Sequence, residues 1–151
     1  MNKRLPKSLT NLTPNQWAYF AGFFDSSGKF PNIRAMYGTD RNGCKYLRHT
    51  ISYAFDTENF NYAKEIADIL GLRMVKVVRN LRPYYRVLFR INILKCFFKK
   101  ILPYLKIFRQ ETIIAIRFRE TFVKNGIDKT NERKSLKIEL EKIKNENLLS
   151  R

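Results

Sequence analysis

The 151-residue sequence predicts an α+β fold with the element order α-β-β-α-β-β-α and further helices at the C-terminus. Three observations lead to this prediction. Two pairs of segments alternate apolar and polar residues as half-buried antiparallel strands do, capping residues flank the intervening segments, and helical periodicity replaces the alternation after Asn92. A hydrophobic content of 44% provides enough apolar surface for one folded unit and argues against disorder.

The first helix is predicted to run from Pro14 to about Phe24. Thr13 is a capping residue type, and proline suits the first helical position. Ala21 and Gly22 are adjacent inside this helix, where a glycine costs about 1 kcal/mol relative to alanine. Close approach of another backbone is the expected compensation, so we predict a helix interface that comprises Ala18, Ala21, Gly22 and Asp25.

Two hairpins and a helix are predicted next. Residues 29–37 and 46–56 read as strands joined around Asn42-Gly43, with Leu47, His49, Ile51, Tyr53 and Phe55 on the core face. Residues 59–70 form an amphipathic helix that Gly71 stops. Residues 73–80 and 84–91 form the second hairpin, with its turn around Leu81-Arg82-Pro83.

Helices are predicted for the rest of the chain, over residues 93–102, 110–124 and 130–147. Pro103 breaks the first of these, and Asn125-Gly126 closes the second. We therefore expect a basic tail over residues 1–12, a domain over residues 13–126 and a charged helical extension over residues 127–151. The extension mixes lysine with glutamate, which is typical of a solvated face, and we assign it no site.

The charge balance points to a polyanionic partner. Lys and Arg number 30 against 13 Asp and Glu, a formal net charge of +17, whereas a surface evolved for solubility alone usually mixes signs. Many of these cations fall on or beside the two predicted hairpins. The candidate nucleic-acid-binding residues are Arg34, Lys45, Arg48, Thr50, Ser52, Lys76, Arg79, Arg82, Arg86 and Arg90.

Several other classes of protein are disfavoured by the sequence. Cys44 and Cys96 lie outside zinc-knuckle and disulfide spacings, and the single histidine, His49, sits at a core position, which excludes nucleases built on paired histidines. No segment has the length and apolarity of a membrane span or a secretory signal. We expect a soluble organellar protein, with the mitochondrion favoured over the chloroplast. The Lys-, Asn- and Ile-rich composition points toward an AT-rich organellar gene.

Residues 20–28, Phe-Ala-Gly-Phe-Phe-Asp-Ser-Ser-Gly, resemble the signature of the LAGLIDADG homing-endonuclease family position by position. The element order extends the resemblance to about residues 13–124. It implies the fold of one such subunit, in which an antiparallel β-saddle binds nucleic acid and two copies of the signature helix pack together. In the family, the acid directly before the final glycine holds a divalent metal, and Asp25 corresponds to a helix-end position instead.

The resemblance also implies an altered cleavage centre. Ser27 stands at the metal-binding acid, and a hydroxyl neutralises none of the charge of Mg²⁺. Phe108 stands where single-motif relatives place a lysine, and Asp56-Thr57-Glu58-Asn59 where they carry a glutamine that orients water. We therefore expect no catalytic residue and no metal, with Asp25 and Mg²⁺ serving only if the protein is active.

The same resemblance raises a question about the first strand. In the register of the family, Pro31, Ile33, Ala35 and Tyr37 would face the nucleic-acid groove, while Asn32 and Arg34 would point at the core. Base reading needs polar side chains on the groove face, whereas phosphate contacts supply affinity without it. Either the register has slipped or base reading is relaxed.

The resulting hypothesis is a nucleic-acid-binding protein without cleavage activity, retained to bind structured RNA as an organellar ribosomal component or an intron maturase. One alternative is an active homodimeric endonuclease that makes Mg²⁺-dependent double-strand DNA cuts. Another is a DNA-binding regulator that does not cut. The partner of the helix over residues 14–24 stays open between a second copy of the chain and a ribonucleoprotein that holds a single copy.

Overall fold

The structure, a computed structural model, describes residues 7–26, 31–122 and 128–149. In chain order, its elements are α1 (Lys7–Thr10), α2 (Pro14–Ser26), β1 (Asn32–Thr39), β2 (Lys45–Ser52), β3 (Ala54–Thr57), α3 (Phe60–Leu70), β4 (Arg73–Arg79), β5 (Arg82–Leu88), α4 (Ile91–Ile101), a 3₁₀ turn (Leu102–Tyr104), α5 (Arg109–Glu120) and α6 (Thr130–Leu149). The predicted α+β class with antiparallel sheets is confirmed. None of the described helices combines the length and apolarity that crossing a bilayer requires.

The chain divides into two compact units. Met1–Lys29 and Tyr53–Ile107 form the first, and Phe30–Ser52 and Phe108–Arg151 form the second. The first unit therefore contains α1 to α4 and the sheet β3-β5-β4, while the second contains the hairpin β1-β2 with α5 and α6. Ser27 and the predicted Asn125-Gly126 turn lie outside the described residues.

Local capping explains the helix starts and stops that the sequence predicts. The Thr13 hydroxyl accepts the Gln16 backbone N–H at 3.3 Å, and the Gln16 side chain accepts the Thr13 N–H at 2.9 Å, which makes a reciprocal capping box for α2. The Asn59 side chain accepts the Tyr62 N–H at the start of α3. Gly71 ends α3 in the left-handed region, at φ 62°, which glycine adopts without steric cost.

The predicted strand over residues 46–56 is in fact two strands. β2 pairs with β1 as far as Asn32 opposite Ser52, and β3 pairs with β5 from Ala54 opposite Leu88 onward. Between them, the Tyr53 carbonyl accepts the Phe89 N–H at 3.2 Å. The described strands thus form a two-stranded and a three-stranded sheet, because the chain exchanges its pairing partner at Tyr53.

The turn of the second hairpin also differs from its prediction. Asn80 and Leu81 form the two-residue turn, with φ of 48° and 62°, as a type I′ turn requires. Pro83 instead lies inside β5, opposite Val78. β3 pairs only with residues 85–88 of β5, so at Pro83 the side of β5 away from β4 has no neighbouring strand and the missing N–H costs no ladder bond.

Aromatic side chains make most of the first unit's core. α2 buries Trp17, Phe20 and Phe24 on one face. Phe24 lies with its ring centroid 4.9 Å from Tyr53 and 5.9 Å from Phe98 of α4. Each such pair contributes about 0.5–1.5 kcal/mol beyond the burial of its area.

The second unit places α6 against the hairpin and α5. Leu136 and Leu140 of α6 are buried, as are Ile33 and Ile51 of the hairpin. The Arg133 guanidinium donates to the Thr121 hydroxyl and carbonyl, both at 2.8 Å, where α5 ends. The charged C-terminal helix is therefore part of this unit's core and closes it with two leucines and one anchored arginine.

His49 provides a pH test of the second unit. Its side chain is buried, and burial lowers its pKa from 6.5, with further lowering by the charges of Lys134, Lys137 and Arg133. The unfolded chain then takes up a proton below about pH 6.5 that the folded chain resists. We expect the free energy of unfolding to be constant above that pH and to fall below it.

Urea unfolding at about pH 7.5 and about pH 5.5 measures this loss, in a window above the titration of ordinary carboxylates. His49→Leu should remove most of the difference between the two pH values. An equal difference in the variant would show that another group carries the pH dependence.

Candidate nucleic-acid interface

One face of the β1-β2 hairpin gathers polar and cationic side chains. We call this surface the hairpin face; the cross-strand pairs that form it are Asn32–Ser52, Arg34–Thr50, Met36–Arg48 and Gly38–Tyr46. The opposite face carries the buried pair Ile33–Ile51 and the buried His49. Strand alternation thus separates an apolar face that α6 covers from a hydrogen-bonding face that is exposed or half-buried.

The register of the first strand answers the question that the sequence raised. Ile33 is 2% exposed and faces inward, whereas Asn32 and Arg34 are exposed on the hairpin face. The expectation from the family register, with Asn32 and Arg34 toward the core, is wrong for this chain. The burial of Ile33 opposite Ile51 fixes the parity of β1, since a one-residue slip of β1 would turn Ile33 to the exposed face.

The predicted residues on this hairpin divide by parity. Arg34, Arg48, Thr50 and Ser52 share the hairpin face, whereas Lys45 pairs with Thr39 on the opposite parity near the turn. Neither Arg34 nor Arg48 makes an ion pair with any residue in the described part of the chain. Two cationic side chains with no counter-ion among the described residues therefore stand among hydroxyl and amide groups, which suits contact with phosphates and base edges.

The three-stranded sheet presents a second cationic cluster at its hairpin tip. Arg79, Arg82 and Tyr84 line a depression of about 530 Å³ together with Asn80 and Asp56. Arg79 and Arg82 are direct cross-strand partners, and both are exposed. Such a concave cationic surface can hold phosphate groups.

Two of the predicted residues in this unit lie away from that cluster. Lys76 pairs with Tyr85 and shares a face with the buried Val87, so it lies on the side of the sheet opposite Arg79 and Arg82. Arg90 follows the strand and forms the N-cap of α4. Charge alone selected both residues; strand parity separates Lys76 from the tip, and the end of β5 separates Arg90 from it.

Arg86 is committed to a carboxylate within its own unit. Its Nε and Nη2 donate to the two Asp56 oxygens at 2.6 and 2.8 Å, across the β3-β5 ladder. This bidentate bond raises the pKa of the Arg86 guanidinium, which stays charged. Arg86 therefore stabilises the sheet and contributes little net charge to a ligand.

The outer face of α2 carries small residues. Ala18 and Gly22 are exposed, and a Cβ built on Gly22 would meet nothing within 4 Å. Ala21 is 0% exposed and faces the interior of its own unit, so the prediction that it contributes to a helix interface does not fit its position. Close approach of another backbone within the described part of the chain does not explain Gly22.

The described residues do not fit a magnesium site. Asp25 accepts the Lys106 backbone N–H on Oδ2 at 2.7 Å, which ties the end of α2 to the segment after the 3₁₀ turn. Phe108 is 1% exposed and precedes α5 as its N-cap residue, with no side-chain polar group to offer. Within residues 7–26, 31–122 and 128–149, no three His, Cys, Asp or Glu side chains come together as metal ligands. The Asp25 carboxylate is thus engaged with the backbone of Lys106.

Asn32 and Tyr46 belong to the hairpin face but were absent from the predicted set. The sequence offers Tyr46 as a ring able to stack on an unpaired base, but ordinary packing is the commoner role of such a tyrosine, and the family register places Asn32 inside. The alternation signal was nevertheless available, since Tyr46 has the same parity as Arg48, Thr50 and Ser52 in one strand.

Structural comparison identifies the fold. The homing endonuclease I-CvuI, in complex with its target in the presence of Ca, has a TM-score of 0.56 and 20% sequence identity, over 85% of this chain and 81% of that one. The archaeal intron-encoded homing endonuclease I-Vdi141I, complexed with DNA, has a TM-score of 0.63 and 16% identity, over 85% and 83%. No protein-family model matches the sequence, and no curated protein matches it. The predicted LAGLIDADG homing-endonuclease fold is confirmed.

Gly22→Ala tests whether the outer face of α2 is open in the isolated chain. The added methyl group meets no neighbour, and alanine favours a helix interior over glycine by about 1 kcal/mol, so the free energy of unfolding should rise by up to that amount. Ala21→Gly is the matched control and should lower it, because Ala21 is fully buried. Urea denaturation measures both, and a destabilised Gly22→Ala would mean that another backbone lies against this glycine.

Arg86→Met and Arg82→Met separate structural from ligand-binding arginines. Arg86→Met leaves the Asp56 carboxylate without its partner and should cost about 1–2 kcal/mol of stability, with little change in affinity for nucleic acid. Arg82→Met should leave stability within about 0.5 kcal/mol and weaken binding, with a salt slope smaller by about one. Urea denaturation measures the stability of both variants, and titration of a fluorescent RNA hairpin measures their affinity. An equal loss of affinity in both variants would contradict the division into one structural and one ligand-binding arginine.

Proposed function

We propose that this chain, which has the homing-endonuclease fold, binds nucleic acid without cutting it and serves to hold structured RNA, as a component of an organellar ribosome or as an intron maturase. The chain has a fold that supports binding of a polyanion, and it has a surface that supplies the positive charge. The observation that carries the proposal is the hairpin face, where Arg34 and Arg48 stand beside Thr50, Ser52 and the aromatic ring of Tyr46.

The electrostatics support a phosphate-rich ligand. The net charge of +17 produces a long-range attraction that salt weakens, and counterion release supplies most of the affinity in such complexes. Arg79 and Arg82 add a second cationic cluster at the tip of the three-stranded sheet. Neither cluster is neutralised by acidic residues in its own sheet, apart from Asp56, whose two oxygens hold Arg86.

The chemistry of the chain supports loss of cleavage. Phosphodiester hydrolysis needs something like 20 kcal/mol of barrier reduction, most of it from metal ions and cations that stabilise developing charge. The sequence has Ser27 at the metal-binding position of the family, Asp25 is bonded to the Lys106 backbone, and Phe108 is buried where a lysine would act. Binding groups are retained while the groups for hydrolysis are replaced.

Duplex DNA is the second candidate ligand, and the strand register favours it. Asn32, Arg34 and Arg48 face outward, and amide and guanidinium groups are the ones that read adenine and guanine in the major groove. The two similar structures are complexes with a target and with DNA. A DNA-binding regulator would use this face without cutting, and an active endonuclease would use it with Mg²⁺.

The outer face of α2 supports a partner for this helix. Ala18 and Gly22 are one helical turn apart and exposed, so another backbone can approach closely there. A second copy of the chain would double the binding surface for a duplex, and a ribonucleoprotein could cover the same face in a single copy.

Competition binding tests the proposed ligand and the loss of cleavage together. Purified protein is titrated with structured RNA and with duplex DNA of matched length and labelled ends, with Mg²⁺ present. We expect tighter binding to RNA, with both strands of the DNA intact. Specific double-strand cleavage would overturn the proposal in favour of an active endonuclease, and tighter binding to uncut DNA would favour the regulator.

The double variant Arg34→Gln, Arg48→Gln tests whether the hairpin face is the binding surface. Removing two phosphate-binding cations should weaken RNA binding and reduce the slope of log affinity against log salt by about 1.5–2 between about 50 and 200 mM. Lys64→Gln is the matched control, because Lys64 is an exposed cation of α3 paired with Asp68 and distant in sequence from the strands' binding residues. An equal loss in the control would show that only overall charge matters.

A further inference from the structure

We propose that Tyr46 is a stacking platform for an unpaired base of RNA, held in place by Gly38 across the hairpin. This inference rests on the proposed function and names the chemical group that the hairpin face would take. Its basis is a geometric relation between two residues on neighbouring strands, with no other side chain between them.

Gly38 and Tyr46 are direct partners in the β1-β2 ladder. A Cβ on Gly38 would lie 2.5 Å from Cζ and 2.6 Å from the hydroxyl oxygen of Tyr46, closer than real Cβ atoms come to other heavy atoms. The distal half of the ring therefore crosses the neighbouring strand in the space that a side chain would fill. Glycine at position 38 is what allows the ring to lie over the strand.

This arrangement leaves aromatic surface available to a ligand. Tyr46 is 48% exposed although its ring rests on Gly38, so the side of the ring away from the strand is open to solvent. A base can stack on such a surface with few side-chain rotations left to freeze, because the strand already supports the ring. Met36, which is 54% exposed and two residues from Gly38 on the same face, adds apolar surface beside it.

The charges around the ring favour a nucleotide over another aromatic ligand. Arg48 follows Tyr46 by two residues on the same face, and Arg34 lies one pair further along. A base on Tyr46 would place its phosphates within the field of these arginines, which lack a carboxylate partner in the described part of the chain. Stacking has little dependence on base identity, so any base that is free of its helix can occupy the platform.

An unpaired base is the specific requirement, since a base inside a duplex has both faces covered by its neighbours. Single-stranded loops, bulges and ends of RNA present such bases. The platform therefore favours RNA that carries a loop or bulge over a fully paired RNA of the same charge. That difference separates stacking from the general attraction between a cationic surface and phosphate.

The test compares two RNA hairpins of equal length and charge, one with an open loop and bulge and one paired except for a minimal loop. Tyr46→Leu should weaken binding to the first by about tenfold and to the second by less than about twofold. Tyr46→Phe keeps the ring and should stay within about twofold of the original protein for both. Tyr37→Leu is the matched control, because Tyr37 is 84% exposed but lies on the opposite parity without a facing glycine.

Gly38→Val tests the support beneath the ring. Its side chain occupies the space under Tyr46 and must displace the ring, so discrimination between the two hairpins should fall several-fold with charge unchanged. Circular dichroism confirms that the hairpin is folded in each variant. Cross-linking of iodouridine in the loop, read by mass spectrometry, should label Tyr46 in the original protein and lose that label in Gly38→Val.

The outcomes are distinguishable. If the original protein fails to bind either RNA, the proposed RNA function fails and the platform fails with it. If it binds both RNAs and Tyr46→Leu binds them equally well, the RNA function stands and the platform is overturned. Equal losses of affinity for both RNAs, or a cross-link at Tyr37 instead of Tyr46, would also overturn the proposed stacking platform. Tyr46 would then serve only to cover Gly38 within the hairpin.

Discussion

The burial of the aromatic face of α2 is the constraint from which the first unit's surface follows. Trp17, Phe20 and Phe24 recur at helical spacing and pack among aromatic residues of α4 and Tyr53. With that face inside, Ala18 and Gly22 must lie outside, and Asp25 at the end of the helix meets the Lys106 N–H. Rotation of the helix toward a new partner face would expose three aromatic side chains, at about 1.5–3 kcal/mol each. The outer surface of this helix is therefore a by-product of its core.

The sequence predicts those elements whose signals are local. Thr13 with Gln16, Asn59 and Gly71 are caps that act within a few residues, and they mark two helices correctly. The strand break at Tyr53 had no such signal, because His49, Ile51, Tyr53 and Phe55 are all buried and the alternation continues without interruption across the break. The exchange of pairing partners depends on which strands pair with each other, and the alternation of residues along one strand carries no information about that. The turn of the second hairpin was predicted at the wrong residues for a related reason. Proline usually marks a turn, but Pro83 is acceptable in β5 because no strand pairs with the outer side of β5 at that position.

Charge selected the candidate site residues, and two non-local relations then divided them. Parity turns Lys76 and Lys45 away from the surfaces formed by Arg79 and Arg48, although charge and exposure treat all four alike. Asp56, 30 residues before Arg86 in the chain, takes that arginine into an ion pair. A cation on a strand thus lies on the face that carries the other cations, lies on the opposite face, or pairs with a carboxylate across the ladder. Only the first adds to a cluster of charge, and the choice depends on pairing register, which the family resemblance gave incorrectly for β1.

The hairpin face carries large apolar side chains as well as charged ones, and this composition indicates what its ligand must offer. Met36 and Tyr46 are large apolar groups toward the turn end of this face, about half exposed, with Arg48 directly opposite Met36 and Arg34 one pair further along. Selection for solubility alone removes exposed apolar groups from a strand pair, since such groups invite association. Selection for phosphate affinity alone gives them no role, because phosphate contacts depend on cations. Their presence beside two arginines instead matches a ligand that offers both a backbone of negative charge and flat apolar surface, and nucleic acid with accessible bases has both. The proposal of looped RNA as the ligand rests on this combination, because in an uninterrupted duplex the flat surfaces are already stacked on each other.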